Sequence, residues 1–456
     1  MKLKARFTNR KILSAEALDI LRLSIPISVN RSAGQLAVIL LIALLGLSNT
    51  EDLASFSLAI SLMAVPFSFS SIISVGVQNQ AAQNGTDTEA LASTLRSGLI
   101  LSLGTGIALF LISRTGINPF EIIDDSGNLS ESSYQIYSIL CVALPISSTA
   151  SCLGFYLEGT GRARFTSFVT LAISTVKIIL AYTLIFDLFN TNINPAVGAA
   201  IAIVASDLLA LTLLSIHIIE KDSEIRKKIF SYHKEDLARI KHLLKIGTPS
   251  SLGFCLQKLA FSTIAFVVAS FGENQIAAYT IILNTVTLFS IPLIGIAHAN
   301  SILTSKLTGQ SSHEEPIKYY YASLAITLSY ISIIAIVYAQ LLKPITSLFS
   351  SDYDVTFIIK GSIIGSATLF FGQSLFSITI SYLRAFSDTL KPQAITSTLL
   401  YFFAIPIIYL HSNYSSEPNI NTTNIALGST LIITFIILHR RAYKLSNNTF
   451  STLSAI

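Results

Sequence analysis

The chain of 456 residues is 52% apolar and only 12% charged, with a formal net charge of +5 and a mean hydropathy of +0.65, whereas a soluble domain carries about 25% charged residues. That balance excludes a soluble globular protein and identifies a polytopic membrane protein. Cys141, Cys152 and Cys255 sit inside apolar runs at spacings that match no metal or redox motif, and read as small core residues.

Apolar runs long enough to cross about 30 Å of hydrocarbon as helices are predicted at 18–46, 53–83, 95–113, 133–157, 165–187 and 196–219. A second set follows at 245–270, 276–304, 319–341, 356–383, 393–410 and 423–440. The first run, from Leu18 to Leu47, is too long for a cleaved leader, so the N-terminus is expected to be retained. Pro26, Pro66, Pro145, Pro249, Pro292 and Pro406 lie within or at the ends of these runs and predict local kinks, because proline removes a backbone donor.

The predicted fold is an all-α polytopic membrane protein of twelve transmembrane helices, arranged as two six-helix bundles. The bundles cover 1–219 and 246–456, joined by a charged linker at 220–245. Of the 30 lysines and arginines, most fall in one set of alternate connections, while the other set holds only Arg114, Lys343 and Lys360. By the positive-inside rule both termini are expected in the cytoplasm, in a plasma (inner) membrane. The basic linker reads as an anchoring loop beside anionic headgroups, not as a nucleic-acid surface.

The two halves echo each other. LSNTEDLASFSLA and a helix ending SVGVQNQAAQNG in the first match SFGENQIAAYTII and a helix ending LIGIAHANSILTSKLTG in the second. YLEGTGRARF, from Tyr156 to Phe165, is matched by YLRAFSDTLKP, from Tyr382 to Pro392. Six helices precede the second copy, so the repeat is parallel, about an axis along the membrane normal. Two bundles facing each other across a cleft are implied.

The order of Pro26 in the first helix, Gly46 and LASFSLA after it, Gly76 near the end of the second, the two YL-led loops and IGTPSS opening the seventh resembles the multidrug and toxic compound extrusion (MATE) family over roughly residues 15 to 440. The resemblance implies export of amphiphilic small molecules by alternating access, driven by a sodium or proton gradient. Several family positions are replaced here. The acid of helix one falls on Leu41; the asparagine and aspartate of helix five fall on Lys177 and Ala181; the threonine of helix six falls on Ile203. The acids of helices seven and ten fall on Gln257 and Gln373. The acids the family would use for a coupling ion are therefore not seen, and no cofactor or metal is expected.

Charged residues remain within the apolar runs. Counted at about 1.5 Å per residue, Lys177 and Asp207 reach the same depth and can pair, while Arg31 and Lys258 lie near the midplane with no acidic partner identified. A charge there costs at least about 2.5 kcal/mol on lenient insertion scales, so such side chains face the bundle interior. The Lys177–Asp207 pair reads as a packing salt bridge, as a fixed replacement for a coupled cation, or as a site that keeps proton coupling through Asp207. Three cations against one acid predict a cleft of formal charge +2, which favours an anionic or zwitterionic amphiphile. His298 reads as a packing residue or as a candidate proton carrier, and Gln257 and Gln373 as donors to a substrate or as bridges between helices. Glu158, Arg162 and Arg164, like Arg384, Asp388 and Lys391, are expected to close the inner face.

No phosphate loop, zinc-protease motif or nucleophile elbow occurs in the sequence, so no enzyme is expected. Membrane lipid and a small molecule are the expected partners, with no obligate protein partner. Alongside an exporter, a lipid-linked precursor flippase and a non-transporting binding or scaffold protein on the same fold remain open.

Overall fold

The computed structural model describes residues 2–48, 50–114, 128–188, 190, 193–229, 235–309, 316–349, 353–415 and 418–453. Residues 230–234 of the charged linker lie outside them. Among the described residues there is no strand. The helices are α1 (Lys2–Ser48), α2 (Thr50–Asn84), α3 (Thr88–Ser113), α4 (Asn128–Gly159), α5 (Ala163–Ile185), α6 (Pro195–Lys221), α7 (Ser223–Ile229), α8 (Glu235–Ala269), α9 (Glu273–Gly309), α10 (Ile317–Phe349), α11 (Tyr353–Gly361), α12 (Ile363–Ala385), α13 (Leu390–Leu399), α14 (Ile405–Tyr414) and α15 (Ile420–Leu453).

Ten spans long and apolar enough to cross a membrane occur among the described residues. One of them runs through α13 and α14, which are joined by a π-helical turn at Leu400–Ala404. With α2 and α8, each of 35 residues, these spans account for all twelve predicted runs. The π turn sits immediately before Pro406. Proline cannot donate to the carbonyl four residues back and its ring clashes with it, so the helix widens there instead of breaking.

Helix starts follow local chemistry. Asp87 caps α3 by accepting from the amides of Glu89 (3.0 Å) and Ala90 (3.1 Å). Asn194 caps α6, with Pro195 in the first turn, where its missing N–H costs nothing.

The sequence repeat recurs in backbone geometry. After α4, Arg162 N donates to Leu157 O (2.8 Å) and Gly161 N to Glu158 O (3.1 Å). After α12, Asp388 N donates to Leu383 O (3.2 Å) and Ser387 N to Arg384 O (2.9 Å). The pivot is left-handed both times, at Gly161 (φ 86°) and Ser387 (φ 59°), so the second copy keeps a conformation that ordinarily favours glycine.

The chain forms two compact units, Val29–Ser251 and Met1–Ser28 with Leu252–Ile456. Both divisions fall inside a helix, α1 or α8, two residues past Pro26 or Pro249. The units thus follow the two halves of the repeat, except that the leading segments of α1 and α8 are exchanged.

Within Val29–Ser251, α4 is central, packed on α2, α3 and α6, with α5 on α6. The linker is docked here. Asp236, fully buried, accepts from Arg96 Nε (2.8 Å), Arg96 Nη2 (2.6 Å) and Ser93 Oγ (2.6 Å) on α3. Arg239 donates to Ala90 O and Thr94 Oγ1, both at 3.0 Å.

Within the other unit α12 is central, against α15 and α9. A Cβ added at Gly428 of α15 would lie 2.5 Å from the backbone of Thr368, and one at Gly372 would lie 2.6 Å from Gly428 O. Small residues are what let two membrane helices approach this closely. The fully buried Tyr320 hydroxyl lies 2.9 Å from Thr379 Oγ1 and 2.8 Å from His439 Nδ1. Outward faces of both units are apolar, with Phe168, Ile179, Phe402 and Tyr409 among the exposed side chains, as contact with lipid rather than water requires.

Candidate functional site

The Val29–Ser251 unit encloses a cavity of about 190 Å³ between α1, α4, α5 and α6. Its walls carry two ion pairs. On α5 and α6, Lys177 Nζ lies 3.4 Å from Asp207 Oδ1, with both side chains partly open to the cavity. This is the pair predicted from equal helical depth.

The second pair differs from expectation. Glu158, in the last turn of α4 and 1% exposed, takes Arg31 Nη2 at 3.1 Å on Oε2, Asn30 Nδ2 at 2.7 Å on Oε1 and Gln78 Nε2 at 2.8 Å on Oε2. Arg31 therefore has an acidic partner, where none was identified in the sequence. Arg162 pairs with Asp222 (2.7 Å), and Asp388 with Arg441.

The Arg31 guanidinium, from the middle of the span Ala15–Leu45, reaches the last turn of α4. Satisfying a buried carboxylate with one guanidinium and two amides leaves neither oxygen without a donor, which is the condition for burying such a charge. The guanidinium carbon sits 4.4 Å above the Phe155 ring, a stacking arrangement that suits its flat face. Two cations and two acids make this cavity formally neutral, so the predicted charge of +2 does not hold here.

Beside this cavity, Leu41, Ala181 and Ile203 belong to one buried apolar cluster with Leu45, Phe56 and Met63. Ala181 lies one helical turn beyond Lys177 on α5, and Leu41 and Ile203 of α1 and α6 belong to the same apolar cluster.

Met1–Ser28 with Leu252–Ile456 holds a second cavity of about 200 Å³ between α8, α9 and α12. Gln257 and Lys258 from α8 and Gln373 from α12 line it together, so three of the predicted residues meet. Lys258 is exposed to this space, with Nζ 5.4 Å from the Phe254 ring centre. No carboxylate lines the cavity among the described residues. His298, in α9, is partly buried, makes contacts of its own and does not line either cavity. Among the described residues no three His, Cys, Asp or Glu side chains converge as a metal site.

Glu158 with its two amides is what sequence reasoning missed. The available signal was its position: a carboxylate inside the last turn of an apolar helix, not beyond it.

Comparison with known proteins bears on both halves. The MatE family model matches residues 26–183 and 249–410, well over half of the chain. A probable multidrug resistance protein NorM of Mannheimia succiniciproducens is 22% identical over 454 residues, covering 96% of each chain. A MATE protein solved in complex with MaL6 shares the fold with a TM-score of 0.85 at 19% identity, over 97% of this chain and 98% of that one. A MOP superfamily transporter from Pyrococcus furiosus, described as having a binding pocket of reverse polarity that suggests a different function, superposes with a TM-score of 0.82 at 19% identity, covering 96% and 97%. With the family model matching both halves of its internal repeat, this multi-pass integral membrane protein belongs to the MatE family, whose members are transporters and not enzymes.

Proposed function

We propose that the protein is a secondary active exporter of amphiphilic small molecules bearing an anionic group, working by alternating access from a cytoplasmic to an external opening. Its N-terminal half carries a built-in cation, Lys177, in place of a coupled sodium ion or proton. The observation that carries this reading is the Lys177–Asp207 pair on the cavity wall. An ammonium already beside the carboxylate leaves no vacant negative site for a coupling cation, and the neighbouring Leu41, Ala181 and Ile203 offer no oxygen ligand. Substrate charge is supported by the balance of the two units: zero around Arg31, Glu158, Lys177 and Asp207, and +1 around Lys258.

Export of an anion needs no cation coupling. An inside-negative membrane gains about 2.3 kcal/mol per charge per 100 mV when a negative charge leaves. Both termini in the cytoplasm fit the placement of lysine and arginine, since Arg114, Lys343 and Lys360 stand against a strongly basic opposite side.

Proteoliposome flux tests the proposal, with cationic and anionic fluorescent amphiphiles and a sodium gradient, a proton gradient or a potassium diffusion potential. Anionic dyes are expected to move without sodium and faster under a potential that favours anion exit. Lys177→Asn should slow that flux and introduce a dependence on sodium or protons, because Asp207 loses its cation. Sodium-driven movement of cationic dyes that ignores Lys177 refutes the proposal. Absence of flux for every dye would favour the binding or scaffold alternative.

A further inference from the structure

The α8–α9–α12 cavity brings together Gln257 and Gln373, on which the family resemblance places acids, and sets the cation Lys258 beside them. Its lining is mostly hydrocarbon, from Phe254, Phe261, Leu283, Val286 and Leu369, interrupted by Gln257, Lys258 and Gln373. Among the described residues the remaining polar side chain of that lining is Thr287. An ammonium group in such surroundings is costly unless it has a counter-charge, and the charged side chains of the first cavity all have one. Lys258 forms no ion pair among the described residues, and its ring contact with Phe254 is long at 5.4 Å. Glutamine amides can turn their N–H₂ toward an anion, so three side chains from two helices can donate together.

We propose that this cavity is a binding site for the anionic group of an amphiphile, a sulfonate, carboxylate or phosphate. Lys258 supplies the counter-charge, Gln257 and Gln373 supply neutral donors, and the aromatic and aliphatic wall takes the apolar body. The inference rests on the reading of the protein as a carrier of anionic amphiphiles and gives that anion its place. Charge-assisted bonds from an ammonium are stronger than those between neutral groups, so Lys258 should dominate discrimination between charged and neutral ligands, and the glutamines should tune it. An anionic lipid headgroup and a free amphiphile share this chemistry.

Two dyes with one ring system separate charge from hydrophobicity: 8-anilinonaphthalene-1-sulfonate and its uncharged parent N-phenyl-1-naphthylamine. Equilibrium binding is measured on the full chain in phosphatidylcholine nanodiscs, with empty discs subtracted. Wild type should bind the sulfonate at least tenfold more tightly than the parent. Lys258→Gln should remove that preference with less than a twofold change for the parent; Lys258→Arg should restore most of it. Gln373→Glu, which places a carboxylate in the cavity, should weaken the sulfonate alone.

Lys258→Gln removes the unpaired charge, Lys258→Arg keeps the charge the wild type already carries and Gln373→Glu gives it a partner, so loss of fold does not mask the outcome. Equal losses for both dyes, no loss in Lys258→Gln, or no sulfonate preference in wild type overturns the assignment. Replacing part of the lipid with phosphatidylglycerol distinguishes the sources: competition with the sulfonate that vanishes in Lys258→Gln identifies a lipid headgroup as the occupant, and no competition identifies a free amphiphile. Binding that depends on Lys258 without flux in liposomes would sink the exporter reading while leaving this site standing; flux with binding indifferent to Lys258 would do the reverse.

Discussion

Removing either member of the Lys177–Asp207 pair should cost far more than half of what removing both costs. At 3.4 Å two unit charges attract by about 5 kcal/mol at the effective dielectric near 20 that suits protein sites. The side chains are 15% and 19% exposed and keep some hydration, so the coupling is discounted to roughly 2 kcal/mol, inside the range for neighbouring residues. Lys177→Met strands the carboxylate and Asp207→Asn strands the ammonium, each at about 3 kcal/mol, the low end for breaking a buried pair. The double variant should then cost about 4 kcal/mol, not 6, by the additivity relation for coupled sites. Equilibrium unfolding in detergent reads all four proteins, followed by circular dichroism because the chain contains no tryptophan. Single effects that add to within about 0.5 kcal/mol would refute a coupled pair, and with it the idea that Lys177 occupies the place of a bound cation.

Two further outcomes follow from packing. Asp236→Ala leaves the Arg96 guanidinium, 9% exposed, without its acid and should cost about 3–5 kcal/mol; partial recovery in Arg96→Met with Asp236→Ala, measured by the same unfolding transition, would confirm that the unpaired charge is the cause. Gly428→Val drives a branched side chain into the Thr368 backbone and should cost 1–3 kcal/mol or more, as overpacking does. Gly104→Ala, where a Cβ meets nothing within 4 Å, should be neutral or raise stability by about 0.5–1 kcal/mol through helix propensity. Equal effects at the two glycines would refute the close approach of α12 and α15.

Much of the architecture was legible before any coordinates. A run of about twenty apolar residues has few structural options in lipid, because every backbone polar group must be satisfied within the segment. The helices at 165–187 and 196–219 accordingly appear as α5 and α6 within a few residues. The YL-led loops announced the repeat, and the structure repeats even their backbone hydrogen bonds. The pairing of Lys177 with Asp207 was accessible because α5 and α6 are consecutive antiparallel helices joined by a short connection, so residue counting from that connection gives relative depth directly.

Amino-acid order alone determined the helical spans, the doubling of the bundle and the presence of charges that hydrocarbon would not tolerate. Only the tertiary structure decided that Arg31, Asn30 and Gln78 gather on Glu158, and that Gln257, Lys258 and Gln373 share a cavity. Those contacts join helices distant in sequence, where axial offset and rotation about each helix axis are set by side-chain packing, and neither quantity is written in the spacing of residues along one helix.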